Sequence, residues 1–123
     1  MFEIELDKSK NLLKMVFAQR VTTEETHRWK QKLTTLLGDL KPGFRLLTDL
    51  SKLESMDIAC APDIEWSMDT LDKAGISKVV RVIPDPRLDI GLNIMSAFHY
   101  RRCLTIVTCE TLEEGLRAIE LED

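Results

Sequence analysis

The sequence contains few of the residues from which catalytic, metal or phosphate sites are built. Its three cysteines, Cys60, Cys103 and Cys109, are far apart and match no metal-ligand or redox spacing. Its five glycines are scattered, and the motifs of nucleotide-binding loops, serine hydrolases and zinc proteases are all missing. Of the two histidines, His27 has neither a partner acid nor a second histidine at ligand spacing, and His99 belongs to a basic segment, His99–Arg102. The chain is therefore predicted to be non-enzymatic and to need no cofactor or metal.

The sequence also lacks the features of membrane, secreted and nucleic-acid-binding proteins. It has no run of 18 apolar residues, so stable membrane insertion is not expected. Three cysteines without a recognisable signal peptide indicate reduced thiols and a cytoplasmic location. The formal net charge of −4 disfavours nucleic acid as a partner, because an acidic surface repels phosphates.

The hydrophobic pattern at the N-terminus predicts a hairpin followed by a helix. Apolar residues alternate in Phe2–Leu6 and recur in Leu12–Phe17, with a polar turn between them, which predicts an antiparallel hairpin. Thr22 followed by Glu25 has the spacing of a capping box, in which each residue bonds the other's backbone. An apolar stripe that starts at Trp29 then predicts a first helix with this tryptophan in the core.

The central part of the sequence predicts a buried strand followed by a loop. Apolar residues point both ways in Phe44–Leu50, which is typical of a strand covered on both faces. The polar stretch Ser51–Cys60 is predicted to be the loop after this strand. A second helix is expected to begin near Asp57 or Ala61 and to end at Gly75, since glycine is the favoured residue after a helix.

The remaining sequence continues the alternation of strands and helices. Ile76–Ile83 is predicted as a strand, and Asp85 before a proline as the start of a third helix. The basic end of that helix, His99–Arg102, either complements the helix dipole or binds an acidic partner. Leu104–Val107 is predicted as the last strand, and Thr111 as the cap of a short fourth helix.

The predicted order is β-β-α-β-α-β-α-β-α. This order indicates an α/β fold with a mixed, roughly five-stranded sheet that opens with an antiparallel hairpin and carries about four helices. The later strands are expected to be parallel and joined by right-handed crossovers. The length of 123 residues and a hydrophobic content of 44% predict one domain spanning residues 1–123.

This arrangement resembles the STAS domain, the fold of anti-sigma-factor antagonists, in its broader SpoIIAA-like form. The resemblance is carried by the N-terminal hairpin and by three further segments. These are Thr23–Glu25, Leu46–Ser51 and Thr111–Leu116. The resemblance implies a protein that binds another protein without catalysing a reaction.

The resemblance also implies the position of a regulatory loop. In anti-sigma-factor antagonists a serine is phosphorylated within an Asp-Ser-Ser/Thr-Gly loop, and the matching segment here is Asp57–Cys60. The aspartate matches, whereas Ile58 occupies the position of the phosphorylated serine and Cys60 that of the glycine. Ser51 and Ser55 are hydroxyls nearby that do not match the motif. The loop is therefore predicted to be a recognition surface without the phosphorylation switch.

Four further residues around this loop have two readings each. Asp49 and Asp57 either face a partner at the carboxyl end of the strand or form an Asx turn and a helix cap. Cys60 is either a reactive thiol at a helix N-terminus or a small buried residue. Trp66 lies off the apolar stripe of its helix, so it either contributes to an interface or packs under a loop.

Two functions follow from these features. The first is a regulatory module that binds a protein partner through the loop, with Asp49, Ser51, Ser55, Asp57, Cys60 and Trp66 as candidate contact residues. The alternative is a carrier of a small apolar or lipid-like ligand held between helices and sheet. In that case Met56, Met68 and Met95 line a pocket instead of filling the core. Formation of a homo-oligomer through an open sheet edge is a further expectation.

Overall fold

A five-stranded sheet with the strand order β1-β2-β3-β4-β5 carries the fold. The computed structural model describes residues 1–85, 100 and 104–121. The strands are β1 (Phe2–Asp7), β2 (Leu12–Val21), β3 (Arg45–Met56), β4 (Lys78–Val82) and β5 (Thr105–Cys109). The helices within the described residues are α1 (Thr23–Leu36), α2 (Ala61–Ala74) and α3 (Leu112–Glu120).

The pairing of the strands confirms the predicted mixed sheet. β1 and β2 form the antiparallel hairpin, in which Phe2 lies opposite Phe17. The hairpin turn contains Asn11 with a φ of 51°, a left-handed conformation that asparagine tolerates better than most residues. The pairs β2–β3, β3–β4 and β4–β5 are all parallel. β1 and β5 form the two edges.

The central strand is longer than the sequence predicted. The segment Ser51–Cys60 was expected to be a loop, yet β3 continues through Met56. The reason is that β2 also continues to Val21, and the two extensions pair with each other, with Val21 opposite Met56. The pairing register shifts between Val16 and Ala18 and again between Gln19 and Arg20. The ladder between β2 and β3 stays parallel across both irregularities. The true loop is therefore short and begins at Asp57.

The first helix begins, and the second helix ends, for the predicted reasons. The Thr22 hydroxyl accepts a bond from the Glu25 backbone N–H at 3.3 Å, and the Glu25 carboxylate accepts one from the Thr22 N–H at 3.4 Å. This is the capping box. α2 begins at Ala61, the later of the two predicted starts. It ends at Gly75, whose φ of 96° is the left-handed conformation of a helix C-cap.

Part of the predicted third helix lies outside the described residues. The residues concerned are 86–99 and 101–103, so the predictions for Met95, His99 and the two following arginines fall outside the structure. The same holds for Cys103. The structure describes three of the roughly four helices that were expected.

The last helix packs on the opposite face of the sheet from α1 and α2. The Thr111 hydroxyl caps it by accepting a bond from the Glu114 N–H at 3.2 Å. At its other end, buried Lys78 of β4 donates to the carbonyls of Ala118 and Leu121 at 2.7 and 2.9 Å. The carboxyl end of a helix carries partial negative charge and unpaired carbonyls, so a buried ammonium there is well solvated by the protein.

The sheet therefore separates two hydrophobic clusters. One lies between the sheet and the helices α1 and α2 and includes the fully buried Trp29, as predicted from its position on the stripe. The other lies under α3 and includes Val80 and Val82. Neighbouring residues of β3 serve both, since Leu46 belongs to the first cluster and Leu47 to the second. This accounts for the apolar residues that point both ways in the central strand.

A close approach between α3 and the sheet predicts the outcome of one substitution. A Cβ atom on Gly115 would lie 2.6 Å from a methyl group of Val82, whereas a Cβ atom on Gly38 would meet nothing within 4 Å. We expect Gly115→Ala to lower the free energy of unfolding by about 1–3 kcal/mol, as overpacking does. The control Gly38→Ala should leave it unchanged or raise it by up to about 1 kcal/mol. Urea unfolding measures both, and equal stability of the two variants would contradict the packing described.

Candidate functional site

An exposed apolar turn follows β3. Residues 57–62 are here named the Ile58 turn, whose central residues form one turn of 3-10 helix at Ile58–Cys60. The side chain of Ile58 is 93% exposed, and Ala59 and Pro62 are exposed beside it. Burying an isoleucine side chain is worth about 1.5–3 kcal/mol, so an isoleucine held in water leaves that free energy available for binding.

Backbone and ionic contacts attach this turn to the end of β2. The Asp57 N–H donates to the Val21 carbonyl at 3.1 Å, and the Cys60 N–H donates to the Asp57 carbonyl at 2.9 Å. The Asp57 carboxylate makes no cap bond; it accepts bonds from Arg20 Nε and Nη2 at 3.2 and 3.1 Å. An exposed pair of this kind contributes at most about 1 kcal/mol. Its main effect is therefore to orient two charged groups next to Ile58.

A buried acid joins the two helices that flank the turn. Asp63, in the first turn of α2, accepts a bond from the Thr26 hydroxyl of α1 at 2.8 Å and is 6% exposed. His27 Nε2 lies 3.4 Å and Lys30 Nζ 3.5 Å from its two carboxylate oxygens. The prediction that His27 has no acidic partner is therefore wrong, because the acid comes from another helix 36 positions further along the sequence.

Trp66 lies at the same seam between α1 and α2. Its side chain is partly buried against the larger hydrophobic cluster. Lys30 Nζ lies 4.9 Å from the centre of its ring, a distance suited to a cation–π contact. Lys30 thus contacts both Asp63 and Trp66. The tryptophan presents one face to the protein and keeps part of its surface in solvent.

Cys60 does not contribute to an exposed surface. Its side chain is fully buried, and its thiol lies 3.8 Å from the Val21 carbonyl oxygen. Burial raises the pKa of this thiol above its ordinary value. Of the two interpretations that the sequence left open, the structure agrees with a small buried residue. Cys60 is therefore no longer a candidate for contact with a partner.

The remaining candidates lie along β3, and of these only Ser55 is close to the turn in sequence. The Asp49 carboxylate accepts a bond from the Ser51 N–H at 2.9 Å, which is the local contact of an Asx turn. Asp49 lines a groove beside α3. Asp57 lies eight positions further along the chain, roughly 25 Å of strand away. The structure does not bring the two acids together. Ser51 is partly buried and Ser55 exposed, and both belong to the strand where a loop was predicted.

Two observations concern ligands and membranes. Among residues 1–85, 100 and 104–121, no three histidine, cysteine or acidic side chains are grouped closely enough to hold a metal ion. In the same part of the chain, no helix has both the length and the hydrophobicity needed to cross a bilayer.

Three residues near the turn were not among the sequence-based candidates. Ile58 was considered only because it lacks the hydroxyl of the phosphorylated serine. Its position as a single isoleucine between an acidic residue and the start of a helix was a sign that its side chain is exposed. Arg20 gave no signal because β2 was predicted to end at Phe17. Asp63 could have been noted as an acid in the first turn of a helix, but its partners on α1 could not be deduced from sequence spacing.

The contact between Asp63 and Thr26 predicts a difference between two acids. We expect Asp63→Ala to lower the free energy of unfolding by about 1.5–3 kcal/mol, because a hydrogen bond to a buried charged group is lost. The matched variant Asp57→Ala removes only an exposed ion pair and should cost no more than about 1 kcal/mol. Chemical denaturation of both proteins is the measurement. An Asp57 variant as unstable as the Asp63 variant would disprove the assignment.

Burial of the thiols predicts slow chemical modification. Burial raises the pKa of Cys60 and of Cys109, so at pH 7–8 both are mostly protonated as well as shielded. In native protein we expect iodoacetamide to label these two cysteines at least tenfold more slowly than in urea, as measured by peptide mass spectrometry. Equal labelling in both conditions would show that one or both thiols are accessible.

Comparison with known proteins finds matches by structure and none by sequence. No protein-family model matches the chain, and no curated protein matches it. The structure of the anti-sigma factor antagonist SpoIIAA in its unphosphorylated form is similar, with a TM-score of 0.70 and 13% identity over 98% of this chain and 100% of that one. An uncharacterised Shewanella loihica protein with a SpoIIAA-like fold is similar with a TM-score of 0.70 and 15% identity. The match covers 96% of this chain and 93% of that one.

Two further solved structures are similar over almost the whole chain. The phosphorylated form of SpoIIAA from Bacillus gives a TM-score of 0.69 and 14% identity, covering 98% of this chain and 100% of that one. An anti-sigma factor antagonist from Mycobacterium paratuberculosis is similar with a TM-score of 0.59 and 17% identity. The match covers 98% of this chain and 96% of that one. At these identities the likeness is one of fold. The chain has the SpoIIAA-like α/β fold that its order of elements predicted.

Proposed function

We propose that the chain is a non-enzymatic regulatory module that binds a protein partner through the Ile58 turn. The observation that carries the proposal is the 93% exposure of Ile58 in a turn that hydrogen bonds fix in place. The backbone of the turn is already ordered by hydrogen bonds before a partner binds, and burial of the Ile58 side chain releases hydrophobic free energy. These are the properties of a residue at the centre of an interface.

The surroundings of Ile58 resemble the rim of such an interface. Ala59 and Pro62 extend the apolar surface, while the Arg20–Asp57 pair lies at its edge. Apolar contacts at the centre with charges at the rim are the usual anatomy of a binding site for a protein. Trp66 is placed by the proposal at the side of this surface, on the helix that begins in the turn.

The similar structures support the same class of function. Two of the solved proteins are named as anti-sigma factor antagonists, which are regulators of other proteins by that name. SpoIIAA has also been solved in a phosphorylated form. By its resemblance to that family, this chain has Ile58 at the place of the phosphorylated serine. Under this proposal Ile58 contacts the partner through its apolar side chain. Phosphorylation cannot switch this contact, because isoleucine has no hydroxyl group. Ser55 is left as the exposed hydroxyl of the two serines considered.

Photo-crosslinking in the chain's own host tests this proposal. A benzophenone amino acid in place of Ile58 is expected to crosslink to one protein, because only groups within a few ångströms react. The matched control carries the same amino acid at Leu116, which is 43% exposed on α3, away from the turn. We expect no shared product at that position. A crosslinked protein at Leu116 and none at Ile58 would place the interface on the wrong side of the molecule.

The partner identified in this way allows an affinity measurement. We expect Ile58→Asp to weaken binding by at least about 30-fold, because a charge replaces a central apolar contact worth about 2 kcal/mol or more. Leu116→Asp should bind like the wild type. Ile58 is almost fully exposed, so Ile58→Asp should change the free energy of unfolding by no more than about 0.5 kcal/mol. Leu116 is 43% exposed and lies within α3, so Leu116→Asp should lower the free energy of unfolding by about 1–2 kcal/mol and leave the protein folded. Unchanged affinity of the folded Ile58→Asp protein would refute the proposal.

A further inference from the structure

An apolar cleft of about 240 Å³ lies between the sheet and the helices α1 and α2. Apolar side chains form most of its wall, among them Leu50 and Met56 of β3 and Met68 of α2. Protein interiors normally contain few voids larger than a water molecule, so this space is a departure from ordinary packing. None of the described residues that line it belongs to the Ile58 turn.

The cleft is open on one side. Leu53 and Met56 of β3 and Ile64 of α2 line it and are only partly buried, whereas Leu46 and Val79 in the same wall are buried. The volume therefore does not limit the length of a bound molecule. An apolar chain can bury one part of its length in the cleft and extend into solvent with the rest.

Polar groups come together in one part of the wall. Thr48 of β3 and Arg81 of β4 are partners in the parallel ladder, and both side chains line the cleft, as does Tyr100. Burial raises the pKa of the Tyr100 hydroxyl, Arg81 opposes this shift and Asp72 adds to it. The hydroxyl thus stays protonated and lies within electrostatic reach of Arg81. A guanidinium and two hydroxyls therefore offer hydrogen-bond donors to the cleft.

The charge of this wall favours an anion. Arg81 is 3% exposed and permanently charged, and no acidic side chain occurs among the described residues that line the cleft. The guanidinium also interacts elsewhere in the chain, but it carries several N–H donors, so it can bind a ligand at the same time. An anion beside a cation that is largely shielded from water interacts with it more strongly than at an exposed surface.

A single guanidinium matches a carboxylate better than a phosphate. Two parallel N–H groups of an arginine fit the two oxygens of a carboxylate, and one positive charge neutralises it. A phosphate monoester carries about 1.5 to 2 negative charges at pH 7. Part of that charge would stay uncompensated at a site shielded from water, which is costly.

We propose that the apolar cleft binds a single-chain carboxylic acid, with its carboxylate at Arg81 and Thr48 and its apolar chain directed past Met56 towards the opening. This site goes beyond the protein binding proposed for the Ile58 turn. It does not depend on that function, because the two places have no described residue in common.

Four probes with the same octyl skeleton test the choice of head group: octanoate, octan-1-ol, octylamine and octyl phosphate. Titration is followed by the 13C-methyl signals of the methionines, of which Met15, Met56 and Met68 line the cleft. Single substitutions to leucine assign these signals. We expect octanoate to shift all three saturably and to bind about tenfold more tightly than octan-1-ol, the ratio that corresponds to a hydrogen bond between charged groups. Octylamine and octyl phosphate should bind more weakly than octanoate.

The contribution of the apolar chain is measured with a shorter acid. Acetate has the carboxylate and lacks the chain. Each buried methylene group strengthens binding by a factor of about four, so acetate should bind at least about a hundredfold more weakly than octanoate. Equal affinity of the two acids would contradict burial of the chain in the cleft.

Variants locate the carboxylate and the chain. Arg81→Met keeps the length of the side chain and removes its charge, so octanoate and octan-1-ol should bind equally. If that variant does not fold, Thr48→Val tests the same end of the cleft and should weaken octanoate about threefold, as loss of one hydrogen bond does. Ile64→Trp narrows the opening and should weaken both probes. Ile58→Asp, which disrupts the proposed protein interface, should bind octanoate as the wild type does.

The opposite results are equally clear. Absence of a saturable shift of the three methionine signals would overturn the proposal. Octan-1-ol binding as tightly as octanoate would overturn the role of Arg81, and tighter binding of octyl phosphate would assign the cleft to phosphate monoesters instead. Undiminished binding of octanoate to the folded Ile64→Trp protein would show that the probe binds elsewhere.

Discussion

The parallel pairing of β2 with β3 is the interaction on which the rest of the structure depends. β4 pairs only with the first five residues of β3, Arg45–Asp49, whereas β2 pairs with β3 as far as its last residue, Met56. The seven residues of β3 beyond Asp49 therefore extend past the shorter strands. Within the described residues their ladder partners come from β2 alone, and register shifts interrupt that ladder. This extension carries the Ile58 turn at its tip and contributes Met56 to the wall of an apolar cleft between the sheet and the helices α1 and α2.

The two faces of the sheet are held by different means. On one face α1 and α2 bury most of the apolar side chains and are joined through the Thr26–Asp63 hydrogen bond. On the other face the short helix α3 lies close to the sheet because Gly115 has no side chain. Lys78 then bonds its terminal carbonyls. A nine-residue helix is marginal alone, so these contacts are what keep it in place. The side of the sheet that faces α1 and α2 also carries an apolar cleft, lined by Met56, Ile64 and Met68 among others.

Local signals in the sequence predicted the elements whose causes are local. The Thr22–Glu25 box, the Gly75 cap and the alternation in β1 each depend on residues within a few positions of one another, and each was confirmed. The extension of β3 was missed because Ser51–Ser55 has no hydrophobic period, and its strand conformation comes from pairing with β2. The contacts of Asp63 and the burial of Cys60 likewise depend on distant segments. The approximate position of the turn was therefore predictable, while its contacts with β2 were not.

The Ile58 turn is anchored on both sides by segments that also line an apolar cleft between the sheet and the helices α1 and α2. Met56 lines the cleft and directly precedes the turn, and Ile64 lines it from the first turns of the helix that follows. The position of Ile58 therefore depends on the packing of these two residues as well as on the backbone hydrogen bonds of the turn. A change inside the cleft alters the exposed surface at Ile58 only by shifting the conformation of these two connecting segments.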